Sequence, residues 1–576
     1  MTISRREFMQ VLALAGMSGF LGPRFAQAAG KSAEDGYEIP DFGNVTLLHF
    51  TDSHAQLNPV YWREPDTNIG VGVAKGQPPH LTGEHFMKYY GLAGGTSDAY
   101  AFDCLDYGEL AHKYGTMGGF AHLASLVKRF REERPGKVLL LDAGDTWQGS
   151  ATSLWTKGMD MVGAQNLLGV DAMVGHWEFT YGADRVKELV DKHLKAEFLA
   201  QNVSDVNWGD LIFKPYSIRE VSGRKIAVIG QAFPYTPIAN PRYMIPDWTF
   251  GIKDQHMQQM VDECRQKHKA DLVVVLSHNG ADVDVKMASR VKGIDIILGG
   301  HTHDIMGPRP VKVGNTLIIN TSTNGKILAR FDLDVGKGKL NGYRFHYLPV
   351  FSNMIKPDAE MAAYIKKVRA PYEKKLSEPL AVTESLLYRR DNFNGSFDQL
   401  LVQALMEEMD AEAAFSPGFR WGYAKLPGET ITFEDVMAQT AITYPQVTVN
   451  EYTGAQIKTI MEDVGDNLFN KDPYYQQGGD MIRVGNIQYV LDPEKDIGHR
   501  ITDLRIGGKP MSMKKKYKVA GWAAVSRPLE GKAVWDVFAE WLRGQKNVRV
   551  DKLDVPHLVG DMKGNPGIAY PRDYGL

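Results

Sequence analysis

Five short apolar runs in this chain each end in residues that can hold a metal ion. Val45 to Phe50 leads into Thr51-Asp52-Ser53-His54, and Val138 to Leu141 into Asp142-Ala143-Gly144-Asp145. Ala172 to Val174 leads into Gly175-His176-Trp177-Glu178, Leu272 to Leu276 into Ser277-His278-Asn279, and Ile294 to Leu298 into Gly299-Gly300-His301-Thr302-His303. The candidate ligands are Asp52, His54, Asp145, His176, His278, His301 and His303. Imidazole nitrogens with carboxylate oxygens suit zinc, manganese, iron or cobalt, and affinity order does not choose among them. A carboxylate such as Asp145 can bridge two cations, and a cation pair can activate water while gripping the oxygens of a reacting group. An isolated Asp-x-His is more often a turn, and a lone strand-end histidine a satisfied polar group. Five such pieces in order point to a dinuclear-metal hydrolase.

The elements that must position these residues are strands alternating with helices, which argues for a layered α/β domain. In such sheets, sites form beyond the carboxyl ends of the strands. Helical spacing runs through Phe120 to Glu133, Asp184 to Ala196 and Gln255 to His268. A strand pair near Thr316 to Asn320 and Ile327 to Leu333 is expected to complete a sandwich. Asp52/His54 and His301/His303 are each separated by one residue, so both members reach one site only if the backbone between them is irregular. Glycines beside the ligands permit unusual dihedral angles. Ser53 to Thr116, rich in Gly, Pro and Tyr, reads as a long insertion outside the core. Beyond Val350 the character changes, with a lysine-rich helical stretch from Asp358 to Leu376 and then a second domain mixing helices with short strands.

At 576 residues the chain exceeds one compact domain. Its 43% hydrophobic and 23% charged residues are ordinary for a globular protein, and a formal charge of -3 shows no nucleic-acid footprint. The 2 cysteines, Cys104 and Cys264, fit no metal or redox spacing and read as separate thiols. At the start, Ser4-Arg5-Arg6-Glu7-Phe8-Met9 precedes an apolar run from Val11 to Leu21 and an Ala26-Gln27-Ala28 cleavage site. This order predicts a twin-arginine signal peptide over residues 1–28, export to the periplasm and no membrane anchor.

With these motifs the chain resembles the calcineurin-like metallophosphoesterases, in the branch related to 5′-nucleotidases. The resemblance implies a four-layer α/β/β/α sandwich over residues 44–355, a linker helix over 356–376, and an α+β substrate domain of 5′-nucleotidase type over 377–576. It further implies one metal held by Asp52, His54, Asp145 and His303, and another by Asp145, His176, His278 and His301, with Asp145 bridging. The third motif departs from that branch. Where nucleotidases carry Gly-Asn-His-Glu-Phe-Asp, this chain has Gly175-His176-Trp177-Glu178-Phe179-Thr180. His176 can still bind metal, but Trp177 and Thr180 replace an acid–base His/Asp dyad, and an indole offers only an N–H donor. The nucleoside-binding segments depart too, reading Phe415-Ser416-Pro417-Gly418-Phe419-Arg420-Trp421-Gly422 and Ala523-Ala524-Val525-Ser526-Arg527-Pro528.

These departures, with Arg389-Arg390-Asp391-Asn392-Phe393-Asn394-Gly395 and Gln476-Gln477-Gly478-Gly479-Asp480-Met481, are similar to the thiosulfohydrolases of periplasmic sulfur oxidation. That similarity implies two manganese ions and a metal-bound water as nucleophile, with no protein acid or base assigned. It implies as substrate a cysteine S-thiosulfonate on the SoxYZ carrier protein, whose flexible arm delivers it to a monomeric enzyme that releases sulfate. Trp177, Arg389, Arg390, Asn392, Asn394 and Arg420 are the candidates for touching the substrate, and Arg483 is a further guanidinium able to hold a sulfonate. The competing readings are a 5′-nucleotidase or phosphodiesterase with an altered acid–base arrangement, and a non-catalytic metal-binding or docking protein.

Overall fold

The structure is a computed structural model that describes residues 37–576, so the expected signal peptide over 1–28 lies outside the described residues. Strand β1 (Val45–Phe50) is buried along its whole length, as suits a strand in a sheet covered on both faces. It pairs in parallel with β2 (Val138–Asp142), Phe50 opposite Asp142, and antiparallel with Ile327–Gly336 on its other side. β3 (Ala172–Met173) continues the sheet, bringing the loops after β1, β2 and β3 to one end. A second six-stranded sheet holds β4 (Leu272–Ser277) and β5 (Ile296–Gly299) side by side and parallel, with Ser277 opposite Gly299.

The two sheets bury their facing sides against each other through Leu47, Leu141, Val274, Leu276, Ile296 and Leu298. Helices Phe120–Glu133 and Met159–Leu168 cover the first sheet's outer face, and Asp254–Gln266 with Ala281–Arg290 cover the second. This is the four-layer α/β/β/α sandwich. Each fully buried Leu, Ile or Val contributes about 1.5–3 kcal/mol of apolar transfer. That burial holds all five site strands in register.

Two expectations need correction. The segment from Ser53 to Thr116 is not an appendage. It forms helices Gly83–Tyr90, Ser97–Phe102 and Tyr107–Tyr114, and its Phe86, Tyr90, Tyr100, Phe102 and Tyr107 belong to the same core as the strands. Its aromatic residues, dispersed among turn formers, bury a long-range face with no local period. The linker is two helices, Ala359–Arg369 and Glu373–Leu376, because Pro371 between them cannot continue a helix.

The second domain packs Ser396–Glu408 on a sheet ordered Val447–Thr453, Lys516–Trp522, Ala413–Ser416 and Arg483–Gly485, and Val534–Gln545 packs against that helix and strand Pro379–Thr383. Capping boxes at Thr432/Asp435 and Thr453/Gln456 fix the starts of two of its helices. Among the described residues no helix is long and apolar enough to cross a membrane.

Candidate metal centre

The loops after β1 to β5 converge, and the seven sequence-predicted ligands fall into two buried groups. Asp145, His176, His278 and His301 form one, and Asp52, His54, Asp145 and His303 the other, with ligand atoms in each group within 4.8 Å of one another. Asp145 is shared. Its Oδ2 lies 3.0 Å from His278 Nε2, 3.2 Å from His176 Nδ1 and 3.7 Å from His54 Nε2, while its Oδ1 accepts the Trp177 backbone N–H at 2.7 Å.

The backbone irregularity that the spacing demands is present. Asp52, His54, Asp145, His301 and His303 all adopt positive φ, a region that non-glycine residues enter at a cost of about 1–3 kcal/mol each. Turning the chain left-handed there aims alternate side chains at one point. Gly144 and Gly300 permit the crowding: a Cβ on the first would meet the Val174 carbonyl at 2.8 Å, and on the second Asp52 Oδ2 at 2.9 Å.

The donor chemistry fits cations. His54 Nδ1 donates to the Gln148 carbonyl, His278 Nδ1 to Ala143 O and His303 Nδ1 to Arg420 O, at 3.1, 2.6 and 3.2 Å. Such bonds fix the tautomer and leave each Nε2 lone pair free for metal. The lone pairs of His54 and His303 face each other at 3.0 Å, an arrangement a shared cation stabilises. His176 Nε2 and His301 Nε2 are buried with no hydrogen-bond partner. Electrostatics agree. Burial pushes His54 down to about 4 against the pull of Asp145. Burial also opposes charge on His278, yet Asp145 and Asp52 push it up to about 10, which measures the demand for positive charge between the two carboxylates. Burial would raise Asp145, but His278 and His176 hold it well below the usual carboxylate range.

Glu178, quoted in the third motif without a role, clamps two ligand loops. Its Oε1 accepts the N–H groups of Thr146 and Trp147 at 2.7 and 3.2 Å, and its Oε2 that of His176 at 2.8 Å. Phe233 is the other residue missed; its ring lies tilted 4.0 Å from that of His176 and stacks 4.2 Å from that of His301. No local signal marks it, since it contributes only an apolar face.

A cavity of about 580 Å³ lies between the domains and reaches Asp145, His176, His301 and His303. Of the residues expected to touch substrate, Trp177 and Arg420 line it. Trp177 packs edge-on against Phe419 and Trp421 at 5.3 and 5.1 Å, and those two stack on each other at 4.0 Å.

The structure does not bring Arg389, Arg390, Asn392 or Asn394 to this cavity. Arg389 pairs with Asp398 at 3.2 Å, and Arg390 with Asp480 and Asp304 at 2.8 and 2.9 Å. Asn392 accepts the Ile69 N–H at 2.5 Å, and Asn394 donates to Gln399 at 2.9 Å. Arg483 is spent on Asp480 at 2.9 Å. These side chains are buried and turned to partners inside the protein rather than to the cavity. Arg527, given no role from the sequence, stands exposed on the cavity wall.

Comparison with known proteins follows the same lines. The structure of Thermus thermophilus sulfate thiohydrolase SoxB in complex with glycerol matches at a TM-score of 0.88 and 39% identity, covering 91% of this chain and 98% of that one. The chain belongs to the SoxB family. SoxB itself sits within the wider nucleotidase group here: the family model for the 5′-nucleotidase C-terminal domain matches residues 380–540. Bos taurus 5′-nucleotidase is 26% identical over 456 residues, covering 70% of this chain and 76% of its own length. A Thermus thermophilus 5′-nucleotidase precursor shares the fold at a TM-score of 0.70 and 19% identity, covering 90% of this chain and 100% of that one. With the SoxB relative, these matches make the chain a hydrolase of the metallophosphoesterase and nucleotidase kind, whose buried His/Asp clusters can hold two metal ions.

Proposed function

We propose that this chain is a periplasmic thiosulfohydrolase, exported by the twin-arginine route, that releases sulfate from a cysteine S-thiosulfonate carried on the arm of SoxYZ. The observation that carries the reading is Trp177, an indole on the cavity wall beside Asp145, in a chain 39% identical to a sulfate thiohydrolase. Thr180, where the dyad's second member would stand, turns its hydroxyl to the Trp177 carbonyl at 2.7 Å.

Two divalent ions, manganese in this reading, would be held by Asp52, His54, Asp145 and His303 and by Asp145, His176, His278 and His301, and would supply Lewis acidity toward sulfonate oxygens and an acidified water. In the overall reaction, a water oxygen bonds to the terminal sulfur as the sulfur–sulfur bond breaks. The electron pair leaves on the arm's sulfur, and the water's protons pass to that sulfur and to solvent. A sulfur anion is a weaker base than an alkoxide, so departure needs little proton donation. The chain's own part is to hold the Asp145 carboxylate through the Trp177 backbone N–H and to exclude bulk water with the Trp177, Phe419 and Trp421 rings. Among the described residues, the cavity wall apart from the candidate ligands includes no histidine, glutamate, lysine or cysteine, and its one further carboxylate, Asp480, is paired with Arg390, Arg420 and Arg483.

The second reading, hydrolysis of 5′-nucleotides, rests on the C-terminal family match over 380–540. Against it stands Trp177 in the third motif, and Phe419 gives one ring face to Trp421 rather than to a base. The deciding experiment is sulfate release by the manganese-loaded mature protein from a carrier-arm peptide bearing cysteine S-thiosulfonate, with a 5′-nucleotide in parallel. Sulfate without phosphate supports the thiosulfohydrolase; phosphate without sulfate returns the chain to the nucleotidases.

A further inference from the structure

The loop after β5, from Gly300 to Asp304, carries two of the candidate ligands, and the second domain grips it at successive positions. Arg420 donates from Nη1 to the His301 carbonyl at 3.4 Å. Arg390 donates from Nη2 to the Thr302 carbonyl at 3.1 Å and to Asp304 Oδ1 at 2.9 Å. The Arg420 carbonyl accepts His303 Nδ1–H at 3.2 Å. Gly478 lies so close to the His301 ring that a Cβ there would collide with Nε2. Both guanidinium groups are held in turn by the buried Asp480, at 2.8 Å from Arg390 and 3.0 Å from Arg420. The loop after β1 is held in the same way: Gln148 accepts from His54 through its carbonyl and donates from Nε2 to the Ala441 carbonyl at 2.5 Å.

Every ligand belongs to the first domain, yet partners that fix the tautomer of His303 and the backbone of His301 and Thr302 come from the second. We infer that docking of the second domain and metal binding are thermodynamically coupled, with Arg390, Arg420 and Asp480 as the positioning residues that transmit the coupling. A ligand loop gripped from outside is preorganised, and partners that orient ligands typically alter metal affinity about 10–100-fold. Coupling is reciprocal, so metal binding must tighten the second domain's grip by the same factor. The inference rests on the two groups holding metal, and not on the identity of the substrate.

The first test uses the wild-type full-length mature protein, stripped with a chelator and reloaded with Mn²⁺, and reads backbone hydrogen exchange. Manganese is expected to slow exchange by about tenfold or more in the segments 418–422 and 478–480, which contain no ligand. Protection confined to the first-domain ligand loops overturns the coupling. A protein that takes up no Mn²⁺ at all fails the metal reading itself, a separate outcome.

The second test is Arg390→Lys, which keeps the charge but cannot fork between Asp480 and the loop. Its Mn²⁺ dissociation constant, read from the signal of free Mn²⁺ in a titration, is expected to rise about 10–100-fold, with faster exchange at His301 to Asp304 in the metal-free protein. Should Arg390→Lys not fold, Asp304→Asn tests the same contact in the same direction. A folded variant that binds Mn²⁺ as the wild type does overturns the inference.

Discussion

The Nε2 atoms of His54 and His303 stand 3.0 Å apart, each with its Nδ1 hydrogen committed to a backbone carbonyl. Two lone pairs held this close repel unless positive charge lies between them. Removing metal should therefore destabilise the fold as well as stop turnover. At a free Mn²⁺ concentration a hundredfold above the dissociation constant, the native state gains about 2.7 kcal/mol. Thermal unfolding of chelator-treated protein should move upward with added Mn²⁺ in a concentration-dependent way, and a transition indifferent to Mn²⁺ would contradict the metal assignment.

Trp177→His restores the side chain that acid–base catalysis would use. Under the thiosulfohydrolase reading it should not accelerate sulfate release. Loss of the edge-on packing against Phe419 and Trp421 should instead lower kcat/KM, by about tenfold if the lost aromatic contact is worth roughly 1.4 kcal/mol. Faster thiosulfonate cleavage by this variant would show that a proton donor had been limiting all along.

Glu178→Gln places an amide NH₂ against N–H groups that the carboxylate now accepts from Thr146, Trp147 and His176. The loops bearing Asp145 and His176 should part slightly, and Mn²⁺ affinity should fall by about 10–100-fold. Equilibrium dialysis with metal analysis reads this directly. Unchanged affinity in a folded variant would remove Glu178 from the machinery.

Arg389→Met tests the reassignment of this residue from substrate to interior. Breaking a buried pair costs about 3–5 kcal/mol, and the low end applies because Asp398 keeps Arg483 at 3.4 Å. Denaturant unfolding should show the loss. KM of the folded fraction should stay near the wild-type value, whereas a large rise in KM would place Arg389 at the substrate.

Cys104 and Cys264 are both buried and unpaired. Burial pushes the Cys264 thiol up to about 12 and Cys104 well above its ordinary value, so both remain protonated thiols far below those values. Native protein at pH 8 should react with a thiol reagent by less than about a tenth of an equivalent, and unfolded protein should expose both. Rapid labelling of the native state would contradict the burial.

The ligands were legible in the sequence because the information is local: an apolar run, then an Asp or His just past its carboxyl end, repeated five times and beside a glycine at Asp145, His176 and His301. A strand needs only its own residues and their immediate flanks to announce itself, and an α/β sheet gathers such ends at one edge. The change at Trp177 and Thr180 is equally local, and so was the expectation of altered acid–base chemistry. Tertiary structure decided the rest. Arg390 meets Asp304 across 86 residues, Arg420 meets His301 across 119, and His54 faces His303 across 249. No spacing rule reaches that far. Whether a guanidinium is free for a sulfonate depends on which carboxylates the fold brings to it, and here Asp398, Asp480 and Asp304 had already taken Arg389, Arg390 and Arg483. The sequence by itself determined which residues can hold metal; only the packing of the two domains, by burying and pairing charges from distant segments, decided which neighbours hold those residues in place.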